Sequence, residues 1–362
     1  MNLRERFNAI MDYKPFDRQP LWYFGEWTET RERWLSEGAP KDLPFWVYFG
    51  MDHDWEQYNW NGLGVNFRFE HFDTLLLEET AEYKIERQND GVVRKTGKGG
   101  TSISQDIETF IKDRASWHEF IRIYDEKMKG VDPYPADWET RKAKFNKNRD
   151  FVLSFEGCSL FGWPREWLTT EGISIMQYDD PALLEEIVEY LTNHFMRRFE
   201  RAVTELEIDF VYIFEDCCFN NGPLLSPAKL REIWLPYYKK IIAFYRKHGV
   251  KHILFDSDGK VDEIIPILLE AGVDILFPVE VGTWKGDVNK FRQEYGKDLR
   301  MLGGVNKLVI SKGEKAIREE LMRVEKLAKS GGYIPLPDHR VPPDASLKDM
   351  QNYCRIFKEI FF

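Results

Sequence analysis

Acidic side chains follow short apolar runs at several points in this sequence. In the segment HILFDSDG, residues 252–259, three apolar residues lead into Asp256, Ser257, Asp258 and Gly259. Other apolar runs are followed by further acidic residues, a histidine or an asparagine: Glu26, Glu156, Glu215, Asp216, Glu280, Asn306, Asp338 and His339. Carboxylates and an imidazole around one opening would bind a metal ion or a cationic substrate, or would transfer protons.

Structural explanations compete with these chemical ones. One of the two aspartates in HILFDSDG is explained as the N-cap of a helix predicted to begin near Lys260. Glu215 and Asp216 are adjacent, so only one can face the interior of a strand, and we favour Asp216. His339 ends the last apolar run, which favours metal ligation or acid/base chemistry over a bond to a backbone carbonyl.

The elements that position these residues alternate between apolar runs and segments of helical periodicity, which is typical of a parallel sheet covered by helices. We predict parallel strands at residues 20–27, 151–157, 209–216, 252–256, 274–279, 299–304 and 332–338, with residues 66–70 as an eighth. Eight such strands close into a single (β/α)8 TIM barrel, whose site lies at the C-terminal ends of the strands. An open doubly wound sheet is disfavoured because no GxGxxG follows any of these strands.

We therefore expect residues 1–362 to form one α/β barrel domain, with an N-terminal extension. The sequence EYKIER-QNDG-VVRKT, residues 82–96, predicts a β-hairpin inserted into the barrel.

Composition excludes several classes of protein. The net charge of −10 argues against a nucleic-acid partner, and no apolar run is long enough to span a membrane. Four irregularly spaced cysteines and a charged N-terminus without an apolar core favour a cytoplasmic protein with reduced thiols and no signal peptide.

The order of several segments resembles the uroporphyrinogen decarboxylase superfamily, which includes a porphyrin decarboxylase and the methyltransferases of corrinoid systems. The resemblance covers most of the chain and is strongest from residue 205 to 355. It rests on DFVYIFEDCCFNNGPLLSPAKLREIWLPYYKKI, EIIPILLEAGVDILFPVEV, YGKDLRMLGGVNK and GGYIPLPDHRVPPDASLKDMQNYC. The resemblance implies a single (β/α)8 barrel, as the strand pattern does.

Departures from the family patterns bear on the reaction. The porphyrin decarboxylase binds substrate carboxylates with an RQAGR stretch after its first strand, whereas residues 24–29 here read FGEWTE, so a poly-anionic substrate would be repelled. His339 does match a histidine that the decarboxylase keeps after its last strand. The methyltransferases bind zinc through His-x-Cys and a later Cys. Here Asp256, Ser257 and Asp258 stand at the first position and His339 at the second.

The resemblance therefore implies an enzyme, more of the methyltransferase than of the porphyrin decarboxylase type. It would move a methyl group between a small molecule and a corrinoid carried by a partner protein. We expect Asp256, Asp258 and His339 to bind zinc or another divalent metal, or to serve as polar anchors. Asp216, His339 and Glu26 are the candidate catalytic residues. The candidate substrate-binding residues are Trp22, Trp27, Trp163, Glu156 and Asn306.

Three alternatives stay open. One is decarboxylation of a porphyrin-related or other small acid, with His339 as the proton donor. Another is glycoside hydrolysis by Glu156 and Glu215. The third is a barrel that binds a ligand without turning it over, which helix caps at Asp256 and Asp258 would favour. A homodimer is the candidate assembly.

Overall fold

The structure, a computed structural model, describes residues 1–52, 63–98, 104–146 and 148–362. Its strands are β1 (Leu75–Glu79), β2 (Tyr83–Arg87), β3 (Val93–Gly97), β4 (Gln105–Glu108), β5 (Ser154–Cys158), β6 (Phe210–Phe214), β7 (Cys218–Phe219), β8 (Gly222–Pro223), β9 (His252–Asp256), β10 (Ile275–Val279), β11 (Arg300–Val305) and β12 (Tyr333–Pro337). Its α-helices are α1 (Leu3–Met11), α2 (Thr28–Ser36), α3 (Phe45–Tyr48), α4 (Arg114–Met128), α5 (Trp138–Asn146), α6 (Gly162–Asp179), α7 (Pro181–Glu205), α8 (Pro227–Lys229), α9 (Leu235–Lys247), α10 (Ile265–Ala271), α11 (Val288–Tyr295), α12 (Glu314–Lys329) and α13 (Leu347–Phe361). A π-helical turn joins α8 to α9, and a 3-10 helix over Lys307–Lys312 precedes α12.

The central sheet has six parallel strands in the order β12-β11-β10-β9-β6-β5. Nearly all residues of these strands are buried, because helices cover the outer face and the barrel interior covers the inner one. The six strands predicted from residue 151 onward are confirmed, and their ends shift by at most three residues.

The sheet curves into a barrel, since side chains from both of its edges meet in one buried cluster. Val152, just before edge strand β5, shares this cluster with Ile334 and Leu336 of the opposite edge strand β12. Trp22 and Phe24, from the segment before α2, complete the cluster. The fold is thus α/β, with a (β/α)8-type barrel, as predicted.

Helix α1 closes the floor of the barrel. The ring of Phe7 packs 5.5 Å from the ring of Phe210, the first residue of β6. The N-terminal ends of the strands are therefore blocked, and the opposite end is the open mouth.

Two predicted strands, residues 20–27 and 66–70, are wrong as regular strands. The amide and carbonyl of Leu21 bond to Asp52 instead of to a neighbouring strand, and Gly25 takes a φ of 91°. The first segment consequently makes one isolated parallel bridge, from Glu26 to Val341. In the second segment the carbonyl of Phe67 accepts a bond from His194, so it is not available to a strand.

The helix after HILFDSDG also begins later than predicted. It starts at Ile265, follows the N-cap Ile264, and ends at Gly272, whose φ is 101°. Asp256 and Asp258 therefore lie too far upstream to cap it, so their explanation as helix caps is wrong.

The predicted hairpin is confirmed as β2 and β3, which pair antiparallel. It belongs to a four-stranded antiparallel sheet in the order β1-β2-β3-β4. Among the described residues, no helix combines the length and apolar character needed to cross a membrane.

Candidate functional site

The centre of the site is a histidine–aspartate pair at the mouth of the barrel. Nε2 of His339, just after β12, lies 3.1 Å from Oδ2 of Asp258, just after β9. Trp27 stacks on the imidazole with ring centroids 5.7 Å apart, and Phe24 meets it edge-on at 5.0 Å. The His339 side chain is 14% exposed and that of Asp258 is 36% exposed. A small molecule can therefore reach the pair from the mouth.

Within the described ranges, no residue hydrogen-bonds to Nδ1 of His339. Because Asp258 accepts a hydrogen bond from Nε2 of His339, Nδ1 is the nitrogen that can take a proton from a ligand or donate one to it.

Asp216 extends this pair into a cluster. The amide of Asp258 donates to Oδ1 of Asp216 over 3.4 Å, and Nη2 of Arg165 lies 3.6 Å from Oδ2 of Asp216. Burial raises the pKa of Asp216, the Asp258 charge raises it further, and Arg165 opposes both. Asp216 also takes a φ of 48°, a backbone conformation that is uncommon for residues other than glycine.

Glu215 points into the protein and has a structural role. Its carboxylate accepts hydrogen bonds from the amides of Leu160, Phe161 and Gly162 and from the hydroxyl of Tyr238. This carboxylate joins β6 to the start of α6. Glu215 is therefore not available as one of the two carboxylates that glycoside hydrolysis by Glu156 and Glu215 would need.

Glu280 and Lys307 form a second buried pair at the mouth, with Nζ of Lys307 3.3 Å from Oε1 of Glu280. Burial and then the charge of Asp258 raise the pKa of Glu280 to about 7, against the influence of Lys307. Asp338 supports this pair, because its carboxylate accepts from the amides of Lys307, Val281 and Gly282.

Asp256 does not join the pair as a third metal ligand. Its buried carboxylate accepts a hydrogen bond from the hydroxyl of Tyr212. Among the residues that the structure describes, no three His, Cys, Asp or Glu side chains are grouped so that they could hold a metal ion. Asp256, Asp258 and His339, the residues predicted to hold a metal, are thus not grouped as a ligand set in the described part of the chain.

Glu156 lies inside the barrel wall on β5, fully enclosed. Its Oε2 has no hydrogen-bond partner within the described ranges, and Nη2 of Arg68 stays 3.6 Å away. Burial raises the pKa of Glu156 to about 8, and Arg68 and a hydrogen bond from Trp163 only partly oppose this. We therefore expect Glu156 to keep its proton at neutral pH.

The contacts of Glu26 and Trp22 are with groups other than His339 and Asp258. Glu26 faces Tyr23 and Arg31, both of which donate to its carboxylate. Trp22 packs near Phe7 in the floor of the barrel. These placements arise because residues 20–27 are irregular, so strand alternation does not set their direction.

Trp163 and Asn306 have local structural contacts. Trp163 stacks on Phe67 at 5.8 Å and packs on Phe195 at 4.8 Å, in the layer between barrel and helices. The side chain of Asn306 caps the 3-10 helix by accepting from the amide of Leu308.

Three basic residues were missed from the sequence: Arg165, Lys307 and Arg340, whose guanidinium carbon lies 6.0 Å from the ring centroid of Trp27. Lys307 and Arg340 directly follow the predicted site residues Asn306 and His339, so their neighbourhood was the available signal. Arg165 comes from α6, and nothing in the sequence connects it to the end of β6.

A comparison with one solved structure agrees with this fold. A methyltransferase from Methanosarcina mazei superposes with a TM-score of 0.53 at 14% identity, covering 99% of each chain. A B12-independent methionine synthase from Shewanella sp. W3-18-1 gives a TM-score of 0.40 at 11% identity, covering 94% of this chain and 91% of that one.

No curated protein matches the sequence. The family model described as uroporphyrinogen decarboxylase (URO-D) matches residues 168–360, which is just over half of the chain and includes β6, β9 and β12. The chain therefore belongs to the uroporphyrinogen decarboxylase (URO-D) family.

Proposed function

We propose that this protein is a methyltransferase that moves a methyl group between a small molecule and a corrinoid carried by a partner protein. The observation that carries the proposal is the Asp258–His339 pair at the barrel mouth, flanked by Trp27 and Phe24. The fold of the Methanosarcina mazei methyltransferase, which this chain matches over its whole length, is consistent with it.

The proton chemistry of methyl transfer explains why such a pair is needed. When a methyl group leaves oxygen or nitrogen, that atom gains electron density and is a better leaving group once it is protonated. Protonated His339 would donate from Nδ1 to this atom, while Asp258 holds the ring through Nε2. In the reverse direction, the neutral ring would accept the proton from the attacking heteroatom.

The aromatic walls and the second carboxylate have supporting roles in this proposal. Trp27, which is 43% exposed, and Phe24 would exclude water on two sides of the ring. Asp216 would bind a polar group of the substrate near Asp258. We assign no step to a metal, because Asp256, Asp258 and His339 do not form a ligand set.

The test incubates the purified protein with reduced free cobalamin and a panel of small N-methyl and O-methyl compounds. Methylcobalamin is followed by absorbance and the demethylated product by mass spectrometry. We expect His339→Ala to lower kcat by about 10²–10⁴-fold and Asp258→Asn to lower it less. His248→Ala is the matched control, because the ring of His248 bonds to a carbonyl of its own helix, that of Phe244.

Two results would contradict the proposal. One is an active protein whose rate is unchanged in His339→Ala. The other is the release of carbon dioxide from small acids, with no methyl transfer to cobalamin from any compound of the panel, which would assign His339 to a decarboxylase.

A further inference from the structure

A cavity of about 660 Å³ lies beside the mouth, outside the cluster of Asp216, Asp258 and His339. It is lined by Tyr23, Gly25, Glu26, Thr28, Arg31 and Arg340, among others. Its volume falls in the range that small-molecule sites occupy, and its walls include the aromatic rings of Tyr23, Phe45 and Trp46.

The cavity contacts the candidate site through Arg340. The carbon of its guanidinium lies 5.4 Å from the ring centroid of Phe24 and 6.0 Å from that of Trp27, the two rings that flank His339. A Cβ at Gly25 would come within 3.2 Å of Nη1 of Arg340, so the absence of a side chain at Gly25 leaves room for the guanidinium.

The charges around the cavity leave Arg340 available to a ligand. The Glu26 carboxylate is already engaged by Tyr23 and Arg31. In the described part of the chain, neither Arg340 nor Lys41, a second cation of the wall, pairs with a carboxylate. Asp42 is the other acidic residue of the wall, and it is exposed, so water screens its charge.

We propose that this cavity binds the anionic group, a carboxylate or a phosphate, of the small molecule whose reactive end reaches His339, and that Arg340 is its anchor. A guanidinium held against two aromatic rings presents its N–H groups in a fixed plane, which suits a two-oxygen anion. The inference rests on the proposed function only in naming the ligand as the substrate.

Binding, measured by isothermal titration calorimetry, tests the cavity without methyl transfer. The probes are benzoate, phenyl phosphate and the neutral isostere benzamide. We expect one of the two anions to bind at least about 10-fold more tightly than benzamide, and the better one identifies the group. Arg340→Gln should weaken that anion by about 10–100-fold while leaving benzamide unchanged.

Two further variants make the result specific. Arg340→Lys keeps the charge but loses the planar fork, so we expect an intermediate loss, and it substitutes for Arg340→Gln if that variant does not fold. Arg33→Gln is the matched control, because Arg33 lies on the same helix, α2, as the wall residue Arg31 but bonds to Glu37 and the carbonyl of Pro343.

Three results would overturn the inference. They are equal binding of the anions and benzamide, no binding of either anion at millimolar concentration, and unchanged anion affinity in both Arg340 variants. A protein that binds the anion but transfers no methyl group would contradict the proposed function alone. A methyltransferase that prefers benzamide would contradict this inference alone.

Discussion

The stability of Glu156→Gln, measured relative to the wild type, should increase as the pH is raised from acidic to neutral. Glu156 is completely buried, and its Oε2 has no hydrogen-bond partner in the described residues. Its nearest cation, Arg68, stays 3.6 Å away with a side chain that is 38% exposed, so water screens that charge. Burial accordingly dominates and raises the pKa of Glu156 to about 8, from an ordinary value of 4.5.

The sign follows from proton uptake. Between these two pKa values the folded protein keeps the Glu156 proton and the unfolded chain releases it, so the free energy of unfolding falls as pH rises. Each pH step over which only the unfolded state is deprotonated removes about 1.4 kcal/mol, and the loss from about pH 5 to about pH 7 sums to about 2.5 kcal/mol. The loss levels off above the folded-state pKa. The glutamine side chain of the variant carries no proton that can be released, so the variant lacks this contribution.

Urea unfolding of wild type and Glu156→Gln at several pH values between about 5 and about 8 measures the difference. Between about pH 5 and about pH 7, the difference in unfolding free energy, variant minus wild type, should increase by about 2.5 kcal/mol. Glu70→Gln is the control, because Glu70 also lies near Arg68, at 3.9 Å, but is half exposed. Parallel pH profiles for wild type and Glu156→Gln would refute the reasoning, since they would mean that Glu156 is ionised in the folded protein.

Three other predictions concern the carboxylate of Glu215, the porphyrin substrate and the metal content of the protein. Glu215→Ala removes the acceptor of three amides and of the Tyr238 hydroxyl, so urea unfolding should show that the free energy of unfolding falls by about 3–5 kcal/mol. The control, Glu185→Ala at an exposed position of α7, should lose less than about 0.5 kcal/mol. A loss below about 1 kcal/mol for Glu215→Ala would contradict this role. The protein should not decarboxylate uroporphyrinogen, because acids stand at Glu26 and Glu29 where arginines are needed, and formation of coproporphyrinogen in a standard assay would disprove this. Elemental analysis of protein purified without chelator should give the same transition-metal content for the wild type and Asp256→Asn, because Asp256 bonds to Tyr212, and a loss of metal in the variant would overturn our assignment of the donor atoms.

The fold could be predicted from the sequence wherever strands follow a regular pattern. The strands from residue 151 onward are continuous apolar runs bounded by turn residues, and they were found nearly to their ends. The segments at 20–27 and 66–70 have similar composition but not the same structure, because their backbone groups bond to Asp52, His194 and Pro133. Tertiary partners of this kind leave no local signal.

The candidate site was predictable in position but not in the direction of its side chains. The rule that barrel sites lie at the C-terminal ends of strands correctly gathers Asp216, Asp258 and His339. The same rule cannot separate Glu215 from Asp216. Only the folded chain brings backbone amides to Glu215 and places Asp216 beside Arg165 and Asp258. The sequence likewise does not reveal that the side chain of Asn306 caps the 3-10 helix that follows it.

The pairing of charges at the mouth explains why the sequence suggested a metal. Counting acids at strand ends gives several carboxylates that would repel one another unless a cation neutralised them. In the folded chain, three carboxylates each have a basic partner: Asp216 has Arg165 at 3.6 Å, Asp258 has His339 at 3.1 Å and Glu280 has Lys307 at 3.3 Å. These bases come from a helix and from residues just beyond the strand ends. Arg165 and Lys307 thus place a positive charge beside Asp216 and Glu280, and His339 hydrogen-bonds to Asp258. The loss of Arg165 or Lys307 would leave its carboxylate without this compensating charge.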